Sequence, residues 1–139
     1  MKQTEPRVGV GAMIMQDDEV LLVYRKKNPE KDHWSLPGGK VELYETLEDA
    51  VKREIKEELN LEIQLDDLLC VTNHILPNES VHFVAPTFLA HIEQGNPCLM
   101  EPDALGGMGW FPLDDLPDAI TLTTQKALEA YLKVNKNTD

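Results

Sequence analysis

The chain has 139 residues, with 25 Asp and Glu against 13 Lys and Arg, a formal net charge of −12 and a sequence pI of about 4.6. So acidic a chain has no basic patch to displace counterions from a polyanion, which argues against nucleic acid as a partner; a small anionic ligand stays possible if cations screen it. No apolar run approaches the ~20 residues of a membrane helix, and Cys70 and Cys98 form no CxxC pair, which argues against structural zinc and for two buried, reduced thiols.

The length suits a single domain over residues 1–139 with one sizeable core. The opening MKQTEPRVGV lacks the apolar run of a signal peptide, so a soluble cytoplasmic protein is expected. Residues 1–6 are polar and expected to fray. Val8–Met15 predicts a buried strand with Gly9 and Gly11 on one face, and Val20–Arg25 a second strand joined to it as a hairpin across Gln16–Glu19. Lys26–Asp32 is a charged loop, Trp34–Leu36 a short extended piece, and Pro37-Gly38-Gly39 a turn. Thr46 is placed to cap a helix running to about Leu59, and Asn60 suits the left-handed residue that ends it. Strands are expected at Leu68–His74, at Val81–His91 (on an edge or bulged, because of Pro86) and at Met108–Leu113, with Gly95–Gly107 as loop. Thr121 or Thr123 caps a last helix through about Val134, burying Ala127, Leu128, Tyr131 and Leu132. Strands and helices mix without βαβ regularity, which predicts an α/β (α+β) fold of the α/β/α sandwich type.

The helix after Thr46 carries the chemistry. Leu47, Ala50, Val51, Ile55 and Leu59 form one apolar stripe at helical spacing, and Glu54 and Glu58 fall inside it, with Glu57 on its flank. Like charges at i,i+4 destabilise a helix, and buried carboxylates require a partner or a metal. A hard divalent cation takes such oxygen ligands, joined by carbonyls of the glycine turn. Metals that bridge phosphate oxygens and activate water make phosphoanhydride hydrolysis the expected reaction. Arg53 lies eight residues after Glu45 and could hold the intervening loop by a charge-assisted bond.

Over Gly39–Leu61 the sequence resembles the Nudix hydrolase family, whose box is G-x5-E-x7-R-E-U-x-E-E-x-G-U with U a bulky aliphatic residue. Gly39, Glu45, Arg53, Glu54, Ile55, Glu57, Glu58 and Leu61 match in register; Asn60 stands where the box has Gly. The similarity extends from about residue 7 to 132, through Leu36-Pro37-Gly38-Gly39 and Trp110–Pro117. It implies a Mg²⁺- or Mn²⁺-dependent hydrolase with a central mixed sheet. Glu57 and Glu58 would be the main metal ligands, Glu54 a ligand, general base or both, and the Gly38 carbonyl a further ligand. Arg53 and Glu45 would be a structural pair, and Glu101 or Asp103 a late acid joining the site.

Outside the box, Arg7 with Gly9 and Gly11, and Asn73 with its neighbours, resemble the MutT-like subgroup acting on (deoxy)nucleoside triphosphates, oxidised ones included. Gly9 and Gly11 would leave room for a flat base, or mark a close-packed strand. Asn73 would read a base edge or end a strand, and Phe83 is a core residue or a substrate contact. Pro77, sixteen residues after Leu61, instead resembles the ADP-ribose pyrophosphatase pattern. The expected partner is therefore a small nucleotide, with a homodimer allowed. A nucleotide-sugar pyrophosphatase and a non-catalytic nucleotide-binding domain are the alternatives.

Overall fold

A computed structural model describes residues 3–137. Its elements are β1 (Arg7–Gln16), β2 (Glu19–Arg25), β3 (Trp34–Ser35), β4 (Gly38–Lys40), α1 (Leu47–Leu59), β5 (Glu62–Leu76), β6 (Val81–Gln94), β7 (Leu105–Pro112) and α2 (Leu122–Asn137). The strands join in the order β3-β2-β1-β6-β5, with β4 on β1 and β7 on β2. The pairing of β1 with β6 is parallel and the others are antiparallel, so the sheet is mixed.

Alternation along β1 and β2 creates two cores. Val10, Ala12 and Ile14 of β1, with Leu21 and Val23 of β2, pack against Ala50, Val51, Ile55 and Leu59 of α1. Met13, Val20 and Leu22 point the other way, onto Ala127 and Leu128 of α2. Side chains of period two, apolar at successive positions, require a layer on each face, and the helices supply it. Each fully buried aliphatic side chain adds about 1.5–3 kcal/mol.

Helix α1 begins and ends as its sequence dictates. Thr46 accepts a hydrogen bond from the Asp49 N–H at 3.1 Å. Asn60 sits at φ 56° and ψ 40°, and its N–H returns to the Lys56 carbonyl. The residue that departs from the box thus adopts the conformation for which the box has glycine.

Several expected elements differ. The strand expected at Leu68–His74 is the 15-residue β5, because bulges between Leu65 and Asp67 and between Leu68 and Cys70 re-phase a pattern that reads as irregular. β6 is central rather than an edge: Pro86 is buried where the ladder to β1 steps from Val84 to Thr87. Leu105–Gly107 belongs to β7 and not to the preceding loop. Leu132 is exposed, as are Cys98 and, in part, Cys70, so the two thiols are free but not both buried. Residues 1 and 2 of the expected frayed segment lie outside the described residues, while the Gln3 side chain is bonded to the His82 backbone in both directions at 3.0 and 3.1 Å. No helix among the described residues is long and apolar enough to cross a membrane.

Asn60→Ala should lower stability by about 1–2 kcal/mol relative to Asn60→Gly, the left-handed penalty of an ordinary L-residue, measured by urea denaturation of the two variants.

Candidate active site

Arg53 is the hub of the helix face. Its Nε and Nη2 donate to the two Glu45 oxygens at 2.6 and 2.9 Å, and Nη2 also donates to the Lys40 carbonyl at 2.9 Å. Nη1 donates to Glu54 at 2.8 Å and to Glu57 at 3.3 Å. All its nitrogens are engaged, and its side chain is partly buried. The Glu45 carboxyl is drawn down to about 2 by its hydrogen bonds from Arg53 and from the backbone, and the Arg53 guanidinium is raised in turn, chiefly by Glu45.

The three glutamates differ in exposure. Glu58 is 8% exposed and accepts the Gly38 N–H at 2.9 Å. Burial pushes its carboxyl up to about 8, opposed by that N–H and assisted by the charges of Glu54 and Glu101. Glu54 is raised by burial too, against the pull of Arg53. Glu57 is half-exposed. Among the described residues no three acidic, His or Cys side chains stand together as a preformed metal cage. Glu54 and Glu57 are turned to Arg53, and Glu58 to Gly38. The acids nonetheless share one face, and both buried members lean toward protonation for want of a positive charge. A divalent cation fits that donor set in kind.

Gly38 and Gly39 bring β4 against this face. A Cβ on Gly38 would strike the β1 backbone at the Val10 carbonyl, and one on Gly39 would strike the Glu54 carboxylate. Both glycines are required by close approach, one to backbone and one to a site side chain.

On the α2 side of β1 lies a cavity of about 200 Å³ whose lining includes Gly9, Gly11, Phe83, Ala85 and Thr87 of the sheet, together with Gly38 and Gly39. Gly9, Gly11 and Phe83 border this cavity, and a Cβ on either glycine would come into contact with its neighbours, Gly39 and Phe83 for Gly9, Pro37 and Thr87 for Gly11. Arg7 and Asn73 do not line it: both are exposed, and the position on β5 that faces inward is His74. Glu101 is exposed on the loop before β7, near enough for its charge to act on Glu54 and Glu58; Asp103 is exposed beside it.

No motif or spacing in the sequence brings Arg25, Glu30, His74 and Thr87 together, yet all four line the cavity. Glu30 clasps one wall of the cavity. One oxygen takes His74 Nε2 at 2.8 Å and the other takes the Leu122 N–H at the start of α2 at 2.9 Å. Burial alone would raise its carboxyl, but His74 and the Leu122 N–H outweigh it, so Glu30 is lowered and ionised. A loop carboxylate that spans three elements leaves no periodic trace. Thr87, a buried hydroxyl in the apolar run Ala85–Ala90, was the available signal.

A family profile described as NUDIX domain matches residues 5–131. A MutT NUDIX hydrolase from Burkholderia pseudomallei superposes with a TM-score of 0.88 at 49% identity, covering 91% of this chain and 98% of that one. An ADP-ribose pyrophosphatase from Methanocaldococcus jannaschii is 34% identical over 128 residues, 92% of this chain and 74% of the relative. The NAD-capped RNA hydrolase NudC from Yersinia pestis is 36% identical over 104 residues, which are only 38% of that protein. The chain belongs to the Nudix family. It is a Nudix hydrolase with the family's mixed α+β fold, and its activity is that of a pyrophosphohydrolase.

Two outcomes are expected. Gly38→Ala should lower stability by about 1–3 kcal/mol through overpacking against backbone, whereas Gly39→Ala should melt nearer the parent temperature and lose turnover, because what it displaces is the end of the Glu54 side chain and not backbone. A calorimetric scan beside an activity assay separates them. Because the folded Glu45 carboxyl titrates near 2 rather than near 4.5, its contribution is fully present above pH 4.5 and lost as pH falls through about 2. Denaturation midpoints of Glu45→Gln and parent should therefore converge over that acid range.

Proposed function

We propose that this Nudix hydrolase cleaves (deoxy)nucleoside triphosphates, oxidised ones included, to the nucleoside monophosphate and pyrophosphate. The observation that carries the reading is the placement of the cavity. It opens beside Gly9 and Gly11 and shares its β4 margin with the glutamate face. At about 200 Å³ it falls below the ~300–1,000 Å³ usual for ligand pockets, so it suits one nucleoside with the phosphate chain emerging toward α1.

Glu54, Glu57 and Glu58, with the Gly38 carbonyl and Glu101, would hold Mg²⁺ or Mn²⁺. When bound, such an ion polarises phosphoryl oxygens and lowers the pKa of a coordinated water. Glu54, partly buried and adjacent to Arg53, is suited to accept the proton of the attacking water. Arg53 and Glu45 fix the loop between β4 and α1, keeping Lys40 and the glycine pair in register with the acids. An ADP-ribose or nucleotide-sugar pyrophosphatase is the second reading, favoured by the archaeal relative that aligns with most of this chain.

The purified protein with Mg²⁺ and a panel of nucleoside triphosphates, ADP-ribose and nucleotide sugars should release pyrophosphate from a triphosphate most efficiently; preferred cleavage of ADP-ribose to two monophosphates would favour the second reading. Glu57→Gln and Glu58→Gln should each lower turnover by roughly two or more orders of magnitude, and near-parent rates in both would overturn the assignment of these acids.

A further inference from the structure

The loop that carries Glu101 into β7 is held at both ends. Upstream, the Cys98 and Met100 N–H groups donate to the Leu59 and Glu58 carbonyls at 3.0 and 2.9 Å, so the loop rides on last-turn carbonyls of α1 that have no partner within the helix. Downstream, the Ala104 and Leu105 N–H groups donate to the Glu101 carbonyl at 3.1 and 3.0 Å, and the Ala104 carbonyl takes the Lys26 N–H at 2.9 Å. Leu105 is buried in the core beneath α1. Between these anchors lies Pro102, which has no N–H to donate. Its carbonyl accepts from Lys26 Nζ at 2.9 Å.

The Lys26 side chain has a seat of its own. A Cβ on Gly106 of β7 would meet Lys26 Cγ and Cδ at 3.0 and 3.2 Å, so the stem occupies the space that a side chain at 106 would fill. Glu101 and Asp103 flank Pro102, yet Nζ forms no ion pair with either among the described residues. Lys26 therefore holds the backbone of the loop without neutralising Glu101. The Glu101 charge instead acts on Glu54 and Glu58.

We propose that Lys26 is a positioning residue: it fixes the Glu101–Asp103 turn from the β2 side, so that Glu101 faces the cation held by Glu54, Glu57 and Glu58. The role rests on the reading of Glu101 as a ligand to that cation. In it Lys26 touches neither the cation nor the substrate and acts through the Pro102 carbonyl. Two competing roles make different predictions. A purely electrostatic Lys26 would repel the cation, so that removing it would tighten binding. A purely structural Lys26 would support the β2–β7 pairing, and its loss would be felt equally with or without the Glu101 carboxylate.

The test is Mn²⁺ binding to the substrate-free protein, followed by the electron paramagnetic resonance of the free ion, with thermal melting measured beside it. Glu101→Gln should weaken binding roughly 10-fold. Lys26→Met should weaken it by about 3- to 10-fold, the scale of one hydrogen bond, even though it removes a repelling charge. Added to Glu101→Gln, the same change should cost at most about twofold more. Lys26→Arg, which keeps a donor on a long stem, should restore the parent affinity. Gly106→Ala crowds the stem and leaves the charge in place; it carries the same expectation as Lys26→Met and serves if that variant fails to fold. Unchanged or tighter binding by Lys26→Met, or an equal loss in both backgrounds, overturns the positioning role and leaves Glu101 as a ligand. Parent-like binding by Glu101→Gln overturns Glu101 as a ligand, and the role of Lys26 with it.

Discussion

The site depends on one guanidinium surrounded by acid. Arg53 engages Glu45, Glu54, Glu57 and a backbone carbonyl at once. Without it, α1 would present several carboxylates to one another in a partly desolvated seam, where like charges repel far more than in water. With it, the loop between β4 and α1 is drawn onto the helix and the glycine strand is pressed against the acids. A Lys could match the charge but not the geometry, since a single ammonium cannot donate to two oxygens of Glu45 and to three further acceptors.

The electrostatic tension that remains is directional. Arg53 satisfies the outer acids, and Glu58, the most buried, has only a backbone N–H. Its raised affinity for a proton measures how poorly the protein alone supports its charge. The fold tolerates this because the helix is anchored elsewhere, by four fully buried apolar residues and a cap at each end. Stability supplied by one face of α1 permits discomfort on its edge, a common arrangement at functional sites.

Much of this was legible in the sequence, for identifiable reasons. Apolar spacing placed Glu58 inward and Thr46 and Asn60 at the helix ends, because those are local properties of one helix. The box match paired Arg53 with Glu45, which precedes the helix in the loop that Arg53 holds. The face of β1 holding Gly9 and Gly11 followed from strand period. What escaped notice depends on long-range closure. Glu30 reaches residues 44 and 92 positions away. The choice between Asn73 and His74 turns on the register of a strand containing two bulges, where one residue's slip reverses every face. Pro86 misled because proline is normally kept to edges, and a gap in one ladder removes that restriction.

The division of β1 between two layers has a consequence for how such a protein can change over time. Its even-numbered side chains pack under the acid helix, while Gly9 and Gly11 floor the cavity on the opposite side. The other cavity walls come from the loop before β3, the start of α2 and one face of β5 and β6. Drift in those walls can therefore reshape what is held without disturbing the acids, so selection can act on ligand choice and on bond cleavage almost independently. A lineage built on this plan can diversify its diet while inheriting its teeth.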